Sequence, residues 1–114
     1  MNRYEIRWAR LDPVQGSEIG KIRPVVIVSL DSLNERLDTV TVCPLTSRLH
    51  PHWRCRLAIE CEGKATEIAV DHIRGVSKSR IGPLLEKLSE KDAKSLRRLI
   101  TELYGEPRVR KAES

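Results

Sequence analysis

A lysine and an arginine stand at the start of an apolar run in the stretch KIRPVVIVS, which begins at Lys21. The β-branched run Val25–Val28 is typical of a buried strand. Because Pro24 restricts the backbone directly after Arg23, the guanidinium extends from a rigid strand end and its planar fork can be aimed at a phosphate. This stretch therefore offers an arginine either for binding a negatively charged group or for an ion pair at the strand edge.

Positive charge is concentrated in two stretches that contain no acidic residue, residues 39–59 and 72–85, in a chain of net charge +5. Arginines beside a tryptophan suit single-stranded nucleic acid, because guanidinium groups pair with phosphates and a base can stack on the indole. Considered alone, Trp53 is expected in the core, whereas the two stretches together indicate a binding face. The candidate RNA-binding residues are Lys21, Ser47, Arg48, His50, His52, Trp53, Arg54, Arg56, His72 and Arg74.

Cysteine and histidine spacing does not predict a metal site. His50, His52 and Cys55 lack a fourth ligand at the spacing of a zinc site, and no carboxylate cluster for Mg²⁺ or glycine-rich nucleotide loop is visible. We therefore expect no metal and no cofactor. The odd count of three cysteines predicts reduced, mostly buried thiols in a cytoplasmic protein. The sequence shows no signal peptide and no apolar run of membrane-spanning length.

Short strands are predicted to position these groups. Alternation in YEIRWARL predicts a half-buried strand with Tyr4, Ile6 and Trp8 on one face. A long loop rich in Gly and Pro follows, and then the strands VVIVS, TVTVCPLTS, RCRLAIEC and ATEIAVDHIRGVS, the last bent near Asp71. The EGK segment between the last two predicts a turn with glycine at its centre. The total is about five or six strands.

Two helices complete the prediction. Asp31 or Ser32 is expected to cap a short helix over LDSLNERLD, and Ser89 to cap a terminal helix that ends at Gly105. An apolar stripe along the terminal helix would cover the core. The elements predict a mainly β fold with helices (α+β), a small barrel or curled antiparallel sheet. We expect a single domain over residues 1–105 and a polar C-terminal tail over 106–114.

The strings LDPVQGSEIGKIRPVVIVS, VTVCPLTS and AVDHIRGVSKSRI resemble the MazF/PemK family of toxin endoribonucleases, from Trp8 through the last helix. The resemblance implies an SH3-like β-barrel with a C-terminal helix, a homodimer, and metal-independent cleavage of single-stranded mRNA. It also implies an acidic, MazE-like antitoxin that covers the RNA groove. By the same resemblance, Arg23 and Thr46 match catalytic residues, Glu18 lies in a loop beside the scissile phosphate, and Asp71 matches an acidic position near the groove.

The implied reaction uses the 2′-OH of the substrate itself as the nucleophile, and yields a 2′,3′-cyclic phosphate and a free 5′-OH. It needs a base, an acid and donors for the charge on phosphorus. Because the pKa of arginine is too high for a proton donor, we expect Arg23 to stabilise charge. Thr46 and Ser47 can donate to the same oxygens, Lys21 adds positive potential, and Glu18 is a candidate base.

Two departures from the family leave the acid and base unassigned. Ala69 stands where some members carry a catalytic arginine, and His72 stands where members often carry glutamine. If Ala69 leaves a role vacant, Arg74 or His72 would fill it.

Two other functions are considered beside the nuclease. A non-enzymatic CcdB-like toxin of the same fold would bind and poison DNA gyrase, a mode associated with a C-terminal Trp-Gly-Ile, whereas this chain ends in RKAES. An inert RNA- or peptide-binding barrel is the third candidate. In that case Arg23 would be an edge ion pair with Glu18, and Thr46 would only fill a strand.

Overall fold

A computed structural model describes residues 1–11 and 21–106. The strands are β1 (Glu5–Leu11), β2 (Lys21–Ile27), β3 (Thr39–Thr46), β4 (Arg56–Cys61), β5 (Lys64–Ala69), β6 (Arg74–Ser77) and β7 (Ile81–Lys87). The helices are α1 (Asp31–Arg36) and α2 (Glu90–Tyr104), and short 3₁₀ turns span Val70–His72 and Lys78–Arg80. The predicted mainly β fold with a terminal helix is confirmed. The loop that contains Glu18, and the tail beyond Glu106, lie outside the described residues.

The strands form one curled antiparallel sheet in the order β4-β5-β3-β2-β1-β7, and β6 pairs with β3 beside this path. Strand β2 lies near its centre and is buried on both faces. Val25 and Ile27 belong to one buried cluster, whereas Val26 and Val28 belong to the other. A strand covered on both faces needs a continuous apolar run rather than alternation, which explains the VVIV pattern.

The β4–β5 hairpin closes through a two-residue turn. Glu62 (φ 51°) and Gly63 (φ 77°) both have left-handed backbone conformations, as a type I′ turn requires, and Cys61 pairs with Lys64. The predicted glycine turn is confirmed. The turn fixes the register of β4 and β5 and thereby the position of the hairpin end.

Helix α2 begins and ends where the sequence predicts. The Ser89 side chain accepts a hydrogen bond from the Asp92 backbone N–H at 3.1 Å, and Gly105 follows the last turn. Ala93 and Leu96 are buried against the core. None of the helices in the described ranges has the length and apolar character that crossing a bilayer demands.

Several local predictions are wrong. Neither predicted side chain caps α1, whose N-cap is Leu30; Asp31 instead accepts a hydrogen bond from the backbone N–H of Arg3 at 2.6 Å. The described ranges contain seven strands rather than five or six, because Gly82 and Pro83 concealed β7. Proline is tolerated there because β7 pairs only with β1, at a sheet edge.

The strand predicted to bend near Asp71 is broken into β5, the 3₁₀ turn Val70–His72 and β6. The predicted face of the first strand also needs correction. Ile6 is buried, as expected, but Trp8 is 38% exposed and lies beyond the edge of the core. Ala9 is buried as well, so the buried residues of β1 are three apart and the predicted two-residue alternation of burial is wrong.

Candidate active site

Arg23 and Thr46 lie on neighbouring strands at the same end of the sheet. The β2–β3 pairing runs to Val25 and Pro44, and Arg23 and Thr46 lie two residues beyond these partners on their own strands, at the same end of the sheet. Both side chains are half-buried and line an open cavity of about 910 Å³. We call it the Arg23 cavity; it is also lined by Trp8, Pro24, Ser47, Arg48, Glu62 and Lys64.

The hydroxyl of Thr46 is oriented by its own turn. Its Oγ1 accepts a hydrogen bond from the Arg48 backbone N–H at 3.1 Å. Since this contact uses a lone pair of the oxygen, the hydroxyl proton remains available to donate to a bound group. The same turn carries Ser47 and Arg48 to the wall of the cavity. The predicted grouping of Arg23, Thr46, Ser47 and Arg48 is therefore present.

The β4–β5 hairpin supplies residues that the sequence did not single out. Lys64 and Thr66 line the Arg23 cavity together with Glu62. The backbone N–H of Glu62 donates to the Glu86 carboxylate at 3.2 Å, which ties the hairpin end to β7. No local signal predicts this wall, because it depends on how the sheet curls. The described lining residues include three cations, Arg23, Arg48 and Lys64, and one carboxylate, that of Glu62. This excess of positive charge favours the binding of anions.

Arg56 does not lie at an RNA-binding surface, which corrects its predicted role. Its side chain is 9% exposed and forms ion pairs with Asp71, Nε to Oδ1 at 3.0 Å, and with Glu67, Nη1 to Oε1 at 3.5 Å. The guanidinium also lies 4.9 Å from the ring centre of Trp53. Arg56 is therefore a structural residue that links β4 to the 3₁₀ turn.

Asp71 is committed to the same network, so its predicted catalytic role is not supported. It is not among the described residues that line the Arg23 cavity, and its second oxygen lies 3.4 Å from Nε2 of the exposed His72. Partial burial would raise the pKa of the Asp71 carboxyl, but the hydrogen bond and charge of Arg56 outweigh it and hold that pKa below the usual 3.8.

Glu67 is a buried anchor that sequence reasoning missed. The side chain is 3% exposed, and both its oxygens accept from the His50 backbone N–H at 3.0 Å. Glu67 pairs with Thr46 across β3 and β5. The carboxylate therefore fastens the loop that follows Thr46 back onto the sheet, and Arg56 supplies the opposite charge that a buried carboxylate needs.

Trp53 lies outside the core, yet its ring already has partners. It stacks on His50 with ring centroids 3.8 Å apart and an interplanar angle of 7°, and Arg56 lies over it. Trp53 is 48% exposed, so it is not the core residue that is expected when Trp53 is considered alone. Its ring is not an open stacking surface either, because His50 and Arg56 already contact it. Its contacts make it part of the loop anchor.

The other predicted RNA-binding residues are dispersed. Arg54 is exposed and pairs with Glu102 at 3.3 Å. His52 is exposed in the loop, and Arg74 lies on β6 across from Val42. Lys21 begins β2, but its side chain lies outside the described part. Arg54, His52 and Arg74 are not among the described residues that line the Arg23 cavity.

The three cysteines are free thiols, as predicted. Burial, together with the nearby charge of Asp71, raises the pKa of Cys43 to about 12. Burial also raises the pKa of Cys61, which borders the Arg23 cavity. A neutral thiol is a poor nucleophile, so Cys61 contributes apolar lining rather than chemistry. Within residues 1–11 and 21–106, no three His, Cys, Asp or Glu side chains are grouped to hold a metal ion.

The sequence of this chain is similar to those of known toxins. The family described as "PemK-like, MazF-like toxin of type II toxin-antitoxin system" matches residues 2–104. A protein of Staphylococcus saprophyticus named Endoribonuclease MazF is 36% identical over 106 residues, which cover 88% of this chain and 88% of that protein.

Solved structures show the same fold at lower identity. Toxin MazF-mt6 of Mycobacterium tuberculosis has a TM-score of 0.74 at 19% identity, covering 88% of this chain and 95% of that one. A MazE-MazF structure from Deinococcus radiodurans has a TM-score of 0.78 at 22% identity, covering 94% of this chain and 97% of that one.

The Asp71–Arg56 pair predicts a pH-dependent share of stability. Because the folded-state pKa of Asp71 is lowered, its contribution is present above the unfolded-state value of 3.8 and is lost as pH falls through the folded-state value. Asp71→Asn should lower the free energy of unfolding by about 1 kcal/mol at pH 7, less than a buried pair gives because Asp71 is partly exposed. Urea denaturation at several pH values should show this difference shrinking below pH 3.8.

The matched control is Asp38→Asn. Asp38 is exposed, so its substitution should change stability little at any pH. A difference between wild type and Asp71→Asn that stays constant from pH 7 to acid would contradict the role given to the Arg56 pair.

Proposed function

The chain belongs to the PemK-like, MazF-like toxins of type II toxin–antitoxin systems, and from that premise we propose that it is an endoribonuclease that cuts single-stranded RNA in the Arg23 cavity. The carrying observation is that Arg23 and Thr46, at the same end of β2 and β3, line the wall of one cavity. Their half-buried positions strengthen hydrogen bonds to a phosphate compared with fully hydrated side chains.

We propose that the 2′-OH on the 5′ side of the scissile bond attacks the adjacent phosphorus. The oxygen–phosphorus bond to the 5′-oxygen breaks, which leaves a 2′,3′-cyclic phosphate and a 5′-OH. Arg23 stabilises the added negative charge with its planar fork, and the Thr46 hydroxyl donates to the same phosphoryl oxygens. Arg48 and Lys64 raise the positive potential along the cavity wall.

A carboxylate is proposed to accept the proton of the 2′-OH and to pass it on to solvent, and water supplies the proton that the leaving 5′-oxygen takes up. Glu18 is the candidate from the family pattern, and Glu62 is the carboxylate that lines the described part of the cavity. The reaction as proposed draws all its charge stabilisation from side chains and requires no metal ion.

Two partners follow from the same assignment. A structure from Deinococcus radiodurans carries MazE with MazF, and we propose that an acidic, MazE-like antitoxin segment binds this chain over its cations, in the cytoplasm where its RNA targets lie.

We also propose a homodimer, because α1 and its flanks expose Leu30, Leu33 and Leu37, an apolar stripe that a second copy could cover. Light scattering should then give twice the 13.0 kDa chain mass.

The activity is tested by incubating the purified protein with a pool of single-stranded RNAs and mapping the new ends. Cleavage at defined positions by wild type, absent in Arg23→Ala, is the expected result. A protein that binds RNA without cutting it, or that does not bind RNA, would overturn the proposed nuclease activity. Either result would favour the gyrase-binding toxin or the inert binding barrel.

Variants at Arg23 and Thr46 should separate charge from geometry. Arg23→Lys keeps a positive charge but loses the fork, so it should lower kcat nearly as much as Arg23→Ala, by roughly 100- to 1,000-fold. Thr46→Val, which removes the hydroxyl at similar shape, should cost far more activity than Thr46→Ser. Arg98→Lys, on the exposed surface of α2, is the matched control. Single-turnover cleavage rates that remain near wild type in Arg23→Lys would refute fork-dependent stabilisation.

An acidic antitoxin segment should compete with RNA for this cavity. Since both ligands would use Arg23, Arg48 and Lys64, a Glu/Asp-rich peptide from the cognate antitoxin should displace labelled RNA in an anisotropy titration. The same residues in scrambled order are the control for charge alone. Tight binding of the peptide with RNA binding unchanged would show that the two ligands occupy separate surfaces.

A further inference from the structure

A second opening lies next to the Arg23 cavity. It has a volume of about 540 Å³ and is lined by Arg10, Ser79, Gly82 and Pro83, among others. We call it the Arg10 cavity. Trp8 and Ile22 line both openings, so these two side chains form the ridge between them. The volume lies within the range of about 300–1,000 Å³ that small-molecule sites have, so the cavity is large enough for a nucleotide.

Trp8 is an exposed indole with an open ring face. It is 38% exposed, and Ile22 beside it is 63% exposed. Among the described residues, Trp8 has neither a stacked ring nor a guanidinium over it, whereas Trp53 has both. Of the two tryptophans in the chain, Trp8 is therefore the one whose face is available to an unpaired base.

Cations outnumber carboxylates around the ridge. Arg10 lines the Arg10 cavity, and no Asp or Glu is among its described lining residues. Across Trp8, the Arg23 cavity adds Arg23, Arg48 and Lys64, against the single carboxylate of Glu62. Cations on both sides of an exposed indole are the combination with which proteins hold single-stranded nucleic acid, phosphates on guanidinium groups and bases on aromatic rings.

We propose that the Arg10 cavity is a second nucleotide subsite, which holds a nucleotide that adjoins the cleavage site. The base stacks on Trp8, and a phosphate pairs with Arg10. The inference rests on the proposed endoribonuclease function and extends it, because it gives the path by which one end of the strand leaves the Arg23 cavity. The carboxylates of an acidic peptide would pair with Arg10 as a phosphate does, but the peptide has no base to stack on Trp8.

The two tryptophans allow a direct test. Trp53→Phe leaves Trp8 as the single tryptophan, and Trp8→Phe leaves Trp53. The probe is an RNA across the mapped cleavage site, made uncleavable by one 2′-deoxy nucleotide at the attacking position. A short form spans the cut, and a long form extends it by a few nucleotides at each end.

The long RNA should quench the fluorescence of the Trp53→Phe protein strongly, the short RNA much less, and the Trp8→Phe protein little with either. Trp8→Ala should weaken binding of the long RNA by roughly 5- to 150-fold, the loss expected for one stacked base. Arg10→Gln should lower the salt slope of long-RNA binding by about 0.7, the value for one phosphate contact. Arg98→Gln, at an exposed arginine on α2, is the control for net charge.

Three results would overturn the subsite. In the first, wild type binds the short and long RNAs with equal affinity. In the second, RNA leaves the fluorescence of Trp8 unchanged. In the third, an acidic antitoxin peptide quenches Trp8 and RNA does not. Cleavage of the unmodified strand is scored separately. A protein that cuts RNA without Trp8 quenching loses only the subsite, whereas one that cuts no RNA contradicts the proposed function itself.

Discussion

The site depends on the antiparallel pairing of β2 with β3. Val25 pairs with Pro44, and this register holds Arg23 and Thr46 at the same end of the two strands. A shift by one residue would turn every side chain of β2 to the opposite face. Such a shift is resisted because Val25, Val26 and Ile27 are all fully buried, in two different clusters. The core of the protein thus holds Arg23, the proposed catalytic arginine, in place through the strand that carries it.

A second constraint acts on the loop after Thr46. Glu67, buried and across from Thr46, accepts from the backbone of His50, while Arg56 balances its charge and connects to Asp71. Burying a carboxylate is costly unless it is paired and hydrogen-bonded. Here the cost is offset by contacts that fix the loop, so that Arg48 approaches Thr46 and orients its hydroxyl. Two arginines of the same acid-free stretch, residues 39–59, therefore have different positions: Arg48 lines the cavity, and Arg56 belongs to the scaffold.

Local chemistry made much of this predictable. The strand ends KIRP and PLTS, the glycine turn at Gly63 and the cap at Ser89 were all read from short patterns, and each is present. Long-range contacts were not readable. Lys64 reaches the cavity only because the sheet curls, and Arg56 meets Glu67 and Asp71 only because β4 pairs with β5 and the 3₁₀ turn follows. The exposure of Trp8 was not readable either, because the buried residues of β1 are Ile6 and Ala9 and do not follow the alternation of the sequence.

The central claim is that the Arg23 cavity promotes attack by the 2′-OH of the substrate itself. It is tested most directly with two RNAs that differ only in one 2′-deoxy nucleotide on the 5′ side of the cut, each incubated with the protein in excess EDTA. The account predicts that the unmodified RNA is cut at the rate seen without EDTA, with 2′,3′-cyclic phosphate and 5′-OH ends, and that the deoxy RNA binds but stays intact. Cleavage of the deoxy RNA at a comparable rate would contradict it and assign the attack to water.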